Sequence, residues 1–321
     1  MEKKKVILDV DTGTDDAIAI MTAVMSENLE VLGVCAVNGN RGIDFTTENT
    51  LRVVEYLGKD IPVFRGCSLP MVVSLTEGRR EDIPYKGPKD PQDNVHGDYI
   101  DLPPATIQEQ PVSAVRWLVD TLMASEGDIT LIPVGPLTNI AMALHIEPRI
   151  AQKIKRIVIM GGGCREVNIT PTAEFNFWID PEAAKIVFDC GCDILVVPLD
   201  ATHAAAVSIR TAEALERKGS KPATLTARII RQRQNAYKHW QPMADINSVP
   251  VHDALAVCAV LDESVLGPVV ETYADVDIGK GAADGMSIFD LDNRYKDRKK
   301  NVKVALGADP ERFADMLLNI L

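Results

Sequence analysis

Six short aliphatic runs, interleaved with stretches of helical spacing, limit what this chain can fold into. They read "KKVILDV", "LEVLGVCAVN", "IPVFRG", "DITLIPVG", "IKRIVIMGGG" and "CDILVVPLD". Between them lie "DDAIAIMTAVMS", "DFTTENTLRVVEYLG" (closed by Gly58), "PVSAVRWLVDTLMAS", "LTNIAMALHI" and "DPEAAKIVFDC", whose apolar residues fall on one helical face. Runs that are apolar throughout, rather than at alternate positions, suit strands buried on both faces. The alternation therefore predicts a single large α/β domain over residues 1–321, with a mainly parallel open sheet flanked by helices. The polar helical stretch within 208–250 is expected to form a cap. The closing "NVKVALGADPERFADMLLNIL" reads as a strand, a turn and a final helix.

Charge narrows the function classes. A formal net charge of -12 over 321 residues argues against nucleic-acid or anionic-membrane binding, both of which need a basic face. The basic runs Lys3–Lys5 and "KDRKK" (296–300) are read as solvated faces. No stretch approaches the roughly 18–20 apolar residues of a membrane span. The N-terminal run is shorter than the core of a secretion signal. Six cysteines show no metal-like or disulfide-like spacing, and "CGC" at 190–192 is read as small buried thiols. The expectation is a reduced, cytoplasmic enzyme.

In parallel α/β sheets, ligands bind beyond the carboxyl ends of the strands. The unusual residues fall there: "DVDTGTDD" after the first strand, Asn38–Asn40 after the second, Val134-Gly135 after a central one, and Gly161–Gly163 with "NITPTAEFN" after the next. The loop 76–104 is long and rich in Pro, Gly and Asp, a candidate wall for the site.

Four aspartates, Asp9, Asp11, Asp15 and Asp16, stand within eight positions, and like charges that close repel. An EF-hand loop needs Gly at its sixth position and Glu at its twelfth. Counted from Asp9 those are Thr14 and Ile20, so that reading fails. A haloacid-dehalogenase-like phosphohydrolase, with Mg²⁺ and Asp9 as nucleophile, would need Thr where Gly13 stands. Helix capping explains one or two aspartates, not four. What remains is a hard cation, Ca²⁺ or Mg²⁺, held by oxygen ligands, with Gly13 allowing Asp11 and Asp16 to converge and Asp253 arriving from the helix that begins "HDALAV". "IMGGG" lacks the G-K-[ST] of a phosphate loop.

"DVDTGTDDA" resembles the D-x-D-x-G-x-D-D signature of the inosine–uridine-type nucleoside hydrolases. Gly39-Asn40, "PVGPLTNIAMA" (133–143), "IMGGG" (159–163), "AEFNFWIDPEAA" (173–184), "VHDALAV" (251–257) and "NVKVALGADPERF" follow in that family's order. The resemblance implies a Ca²⁺ site of Asp11, Asp16, Asp253 and the Val134 carbonyl. It implies ribose contacts from Asp15, Asn40, Met160, Asn168, Glu174, Phe175 and Asn176, and histidines His96 and His252 near the base. It also implies a homo-oligomer, dimer or tetramer.

The implied reaction is hydrolysis of a nucleoside to ribose and free base through an oxocarbenium-like state. Asp11 would serve as general base toward a metal-activated water and His252 would assist the leaving base, its ordinary pKa near 6.5 suiting that role. The alternatives are the phosphohydrolase and a non-catalytic nucleoside- or ribose-binding protein. Two histidines lean weakly toward pyrimidine or mixed base preference. Tyr237, His239 and Trp240 form an aromatic group that either reaches the base or packs the cap.

Overall fold

The computed structural model describes residues 2–76, 78–80, 95–241, 243 and 245–321. Among them, eight strands form the central sheet, in the spatial order β3 (Val63–Arg65), β2 (Leu29–Ala36), β1 (Lys4–Val10), β4 (Ile129–Pro133), β5 (Ile154–Met160), β6 (Ile194–Val197), β12 (Val302–Ala305) and β9 (Val269–Thr272). Neighbours pair in parallel except β12 and β9, which are antiparallel.

Strand β1 shows why its run is apolar throughout. Val6, Leu8 and Val10 join the core on one face, with α1 (Thr14–Met25) and α10 (His252–Leu261). Ile7 joins the core on the other, with α3 (Ala114–Ala124), α4 (Thr138–Ile146) and α6 (Pro181–Phe188). Successive side chains point to opposite faces, and here both faces are covered. Helix α2 (Ile43–Leu57) stops where expected, at Gly58, whose φ of 64° closes the last turn with an N–H bond to the Glu55 carbonyl.

The segment expected as a cap is tied at its base by a two-stranded ribbon, β7 (Val207–Ser208) with β8 (Ser248–Val249). Between them run α8 (Ile209–Lys218) and α9 (Lys221–Trp240). Although α9 reads as polar, its inner flank buries Leu225, Ile229, Ile230, Arg233 and Tyr237.

Several elements have no counterpart in the sequence reading: β9, and a hairpin of β10 (Ala274–Val276) with β11 (Ser287–Phe289). Each is only three or four residues long and mixes polar residues with apolar ones, so it carries little periodicity. The cysteines of "CGC" are free and half-buried rather than fully buried. Residues 77 and 81–94 of the candidate wall lie outside the described residues, as do the side chains of His239 and Trp240. Residues 95–104 pack onto the molecule. The Ile100 N–H donates to Asn49 Oδ1 at 3.0 Å, and the Asn49 amide donates to the carbonyls of Thr12 and Asp98. No described helix is long and apolar enough to cross a membrane.

Candidate active site

The loops after β1, β2, β4 and β5 meet the start of α10 and the middle of α9 around one cavity. Asp11, Asp15, Asn40, His96, Val134, Met160, Asn168, Glu174, Phe175, Asn176, His252 and Asp253 all line it. Asp16 sits just behind them, fully buried.

Asp16 organises the floor. Its two carboxylate oxygens accept the backbone N–H groups of Asp11 at 3.0 Å and Gly13 at 2.9 Å, which folds the loop over the first turn of α1. Asp11 accepts the Asn40 backbone N–H at 2.6 Å on Oδ2. Its carboxylate is wedged between two glycines: a Cβ on Gly39 would lie 2.0 Å from Oδ2, and one on Gly135 would lie 2.7 Å from Oδ1. Only glycine fits at either position.

Crowding shifts the protonation of this floor. Burial, then the Asp16 charge, pushes Asp11 well above the usual carboxylate range. Burial, then Asp15, pushes Asp16 up to about 7, and burial with Asp15, Asp16 and Asp11 raises Asp253 strongly. Asp15 differs: burial pushes it up too, but Arg233, His96 and His252 outweigh that and hold it below its ordinary value. Such carboxylates take up a proton because the floor lacks positive charge, and a divalent cation would supply it. Ligand oxygens of Asp15, Asp16 and Asp253 lie within 4.8 Å of one another. An all-oxygen set without Cys or His fits a hard cation such as Ca²⁺ or Mg²⁺. Asp15 thus stands in the converging trio where the sequence placed Asp11. The Val134 carbonyl already accepts the Asn176 side-chain amide at 2.8 Å, leaving its second lone pair.

One side of the cavity is built by the short helix α5 (Phe175–Ile179). Glu174 caps it, accepting the N–H groups of Asn176 at 2.9 Å and Phe177 at 3.2 Å, and also that of Gly162 at 2.8 Å. Burial nevertheless lifts Glu174 to about 7, against those N–H bonds. Asn168 Oδ1 accepts the Phe175 N–H, and Asn176 also donates to the Met160 carbonyl. The triple glycine serves this packing, since a Cβ on Gly161 would lie 2.7 Å from the Phe177 ring.

The opposite side is a chain of hydrogen bonds. His252 Nδ1 meets the Thr202 hydroxyl at 2.7 Å and Nε2 meets the Tyr237 hydroxyl at 2.7 Å. Arg233 Nη2 donates to the Tyr237 oxygen, and Nη1 lies 2.8 Å from Asp15, an ion pair whose angle falls short of a hydrogen bond. His96 Nδ1 accepts the Thr14 N–H at 3.2 Å and closes over Gly13. Burial lowers His96 to about 4. Burial, then the Arg233 charge, takes His252 well below 6.5. Both ring nitrogens of His252 are thus engaged by hydroxyls, and its surroundings hold it below the ordinary imidazole value that the sequence reading assumed.

The sequence profile of the inosine-uridine preferring nucleoside hydrolases matches residues 6–315. Pyrimidine-specific ribonucleoside hydrolase RihB of Escherichia coli K12 is 36% identical over 318 residues, covering 98% of this chain and 95% of that protein. A purine-preferring ribonucleoside hydrolase from Gardnerella vaginalis has a similar structure, with TM-score 0.85 at 27% identity over 98% of this chain and 97% of that one. A plant nucleoside hydrolase gives 0.86 at 29% identity, covering 98% of each chain. The chain belongs to the inosine-uridine preferring nucleoside hydrolase family. It is an enzyme, a ribonucleoside hydrolase that cleaves an N-glycosidic bond.

In this hydrolase the cavity-lining residues that sequence reasoning missed are Arg41, Val95, Ile169 and Arg233, with Tyr237 noted but unassigned. Arg233 left a signal: it falls on the apolar stripe of α9 defined by Ile229, Ile230 and Tyr237, where a charge is out of place. Asp9 is separate from all of this. It points to the other side of β1, where Asn139 donates to it at 2.8 Å, and burial raises it to about 8. It does not line the cavity, which removes it as a nucleophile toward a phosphoester bound there.

Proposed function

We propose that this hydrolase is Ca²⁺-dependent and acts on pyrimidine ribonucleosides, uridine foremost. The observation that carries the reading is the polarity of the cavity. A floor of buried carboxylates faces a wall holding a cation, a phenol and an imidazole. That is the field required by a reaction whose sugar turns positive while its base turns negative. The pyrimidine specificity of the 36%-identical relative supports the choice of base.

Asp15, Asn40, Asn168 and Asn176 bind and orient the ribose through its hydroxyls. Asp11 removes a proton from the attacking water, and the Asn40 N–H aims its carboxylate. Ionised Glu174 faces the sugar ring and favours the growing positive charge. The Tyr237–His252 pair donates a hydrogen bond to the departing base, its protons passing between hydroxyl and ring nitrogen. Asp15, Asp16 and Asp253, with Asp11 and the Val134 carbonyl close by, would hold the cation. When bound, Ca²⁺ supplies Lewis acidity that lowers the pKa of a water and polarises the ribose diol.

The experiment is base release from uridine, cytidine, inosine and adenosine, with and without a calcium chelator. Chelator-sensitive release of uracil ahead of hypoxanthine supports the reading. Release that ignores the chelator sinks the metal assignment, and faster release from inosine sinks the base assignment. Tight uridine binding without turnover would instead support a binding protein.

A further inference from the structure

The wall formed by α9 carries a charge that a sugar does not need. The Arg233 side chain is only 1% exposed, yet it lines the cavity. Nε donates to the Pro250 carbonyl at 3.1 Å, Nη1 to the Thr14 hydroxyl at 2.9 Å, and Nη2 to the Tyr237 hydroxyl at 3.3 Å. Burying a guanidinium is costly, and an apolar side chain on this stripe would pack more cheaply. Asp15 accounts for the Nη1 edge. The Nη2 edge instead meets a neutral phenol that is itself bonded to His252.

The two sides of the cavity suit two halves of a substrate. Asn40, Asn168, Glu174 and Asn176 offer amides and a carboxylate, partners for hydroxyl groups. Arg233, Tyr237 and His252 suit a flat heterocycle rich in acceptor oxygens. We propose that Arg233 is a specificity-determining residue that selects bases able to depart as anions, uracil over cytosine. The inference rests on the hydrolase reading above.

The chemistry balances as follows. The C1′–N1 bond breaks and its electron pair stays on N1, while the water oxygen bonds to C1′. Asp11 takes the water proton and afterwards releases it to solvent, from which the departed uracil anion takes one, so the net products are ribose and neutral uracil. In the uracil anion the charge spreads over two carbonyl oxygens; in cytosine it has one carbonyl oxygen and a ring nitrogen. A fixed guanidinium at this wall favours the first more than the second. It does little for p-nitrophenolate, which bears its own charge without help.

The test is kcat/KM for uridine, cytidine and p-nitrophenyl β-riboside in the wild type, Arg233→Gln and Arg233→Lys. A role confined to supporting Asp15 lowers all three ribosides by a common factor, and that result overturns the proposal. A leaving-group role lowers uridine about tenfold or more relative to p-nitrophenyl riboside, the size of a lost charge-assisted contact. It also shrinks the uridine-to-cytidine ratio, and lysine restores part of both. If neither variant folds, the wild type decides. Rates that climb from 5-methyluridine through uridine to 5-fluorouridine support departure as an anion, and a flat or falling series overturns it. A wild type inactive on every riboside removes the hydrolase reading itself, an outcome distinct from equal losses in the variants.

Discussion

The Asn40 backbone N–H meets Asp11 Oδ2 at 2.6 Å and ties the loop after β2 to the loop after β1. Two glycines, Gly39 and Gly135, leave the carboxylate room on either side and nowhere else to go. A base so confined keeps its aim without help from substrate.

Asp11→Asn keeps the shape and the Asn40 contact but removes the proton acceptor. It should lower kcat for uridine by about 10²–10⁴, the usual contribution of a positioned general base, with KM little changed. Asp9→Asn, on the far side of the strand, should retain base release within about tenfold of wild type. Steady-state kinetics on both variants separates the two aspartates. Loss of activity in Asp9→Asn alone would restore the nucleophile role that the geometry denies it.

Metal removal should be visible without any turnover. A cation that binds only the folded chain adds about 2.7 kcal/mol when present at a hundredfold excess over its Kd. Thermal unfolding with and without chelator should therefore show a lower Tm after chelation, recovered by added Ca²⁺. Asp253→Asn should abolish that difference. A Tm indifferent to calcium in the wild type would contradict the site.

Glu174, lifted to about 7, predicts a pH profile. Its ionised form is the one that favours the cationic sugar, so kcat/KM should rise as pH climbs through about 7. Glu174→Gln should be slower and lose that limb. Stability runs the opposite way. A carboxylate raised in the folded state contributes stability that is full below its unfolded pKa near 4.5 and is lost as pH rises through about 7. Urea unfolding between pH 5 and 8 should show this slope in the wild type and a weaker one in Glu174→Gln.

The loop after β3 is pinned beside α5 by Asp284. This carboxylate takes Arg79 on Nη2 at 2.7 Å and Arg80 on Nη1 at 2.6 Å, with both arginine side chains under 10% exposed. Arg79 also pairs with Glu182, while Arg80 donates to the Trp178 carbonyl and stacks on its ring. Asp284→Ala leaves buried cations short of a partner and should cost about 3–5 kcal/mol by chemical denaturation. Because Trp178 shares α5 with Phe175 and Asn176, KM for uridine should rise more than kcat falls. Unchanged stability would mean that the arginines find new partners.

How much of this was readable in advance depended on where each residue sits. Asp11, Asp15, Asp16 and Asp253 announce themselves because carboxylates cluster at the ends of aliphatic runs, where a core has no use for them. Asn40, Glu174 and Asn176 needed the family pattern, since asparagine in a loop is ordinarily just a turn residue. Arg233 was easy to pass over in a helix crowded with arginines, although its place on the stripe of Ile229, Ile230 and Tyr237 sets it apart from the exposed Arg228 and Arg231. The surroundings of His252 were invisible as well. Its partners, Thr202 and Tyr237, lie 50 and 15 residues away, and no spacing rule joins them. Strand β9 and the β10–β11 hairpin were too short to show a period.

Strand β12 lies inside the sheet, hydrogen-bonded to β6 on one side and β9 on the other. A ribosome delivers residues 302–305 after the other seven strands of the sheet. Until then β6 is an open edge, and β9 has no main-sheet strand beside it. The nascent chain can collect its N-terminal strands and most of its carboxylate floor early, yet it cannot seal the sheet. Chains broken off before Val302 should accordingly expose a sticky edge and be cleared or aggregate, however complete their catalytic residues are.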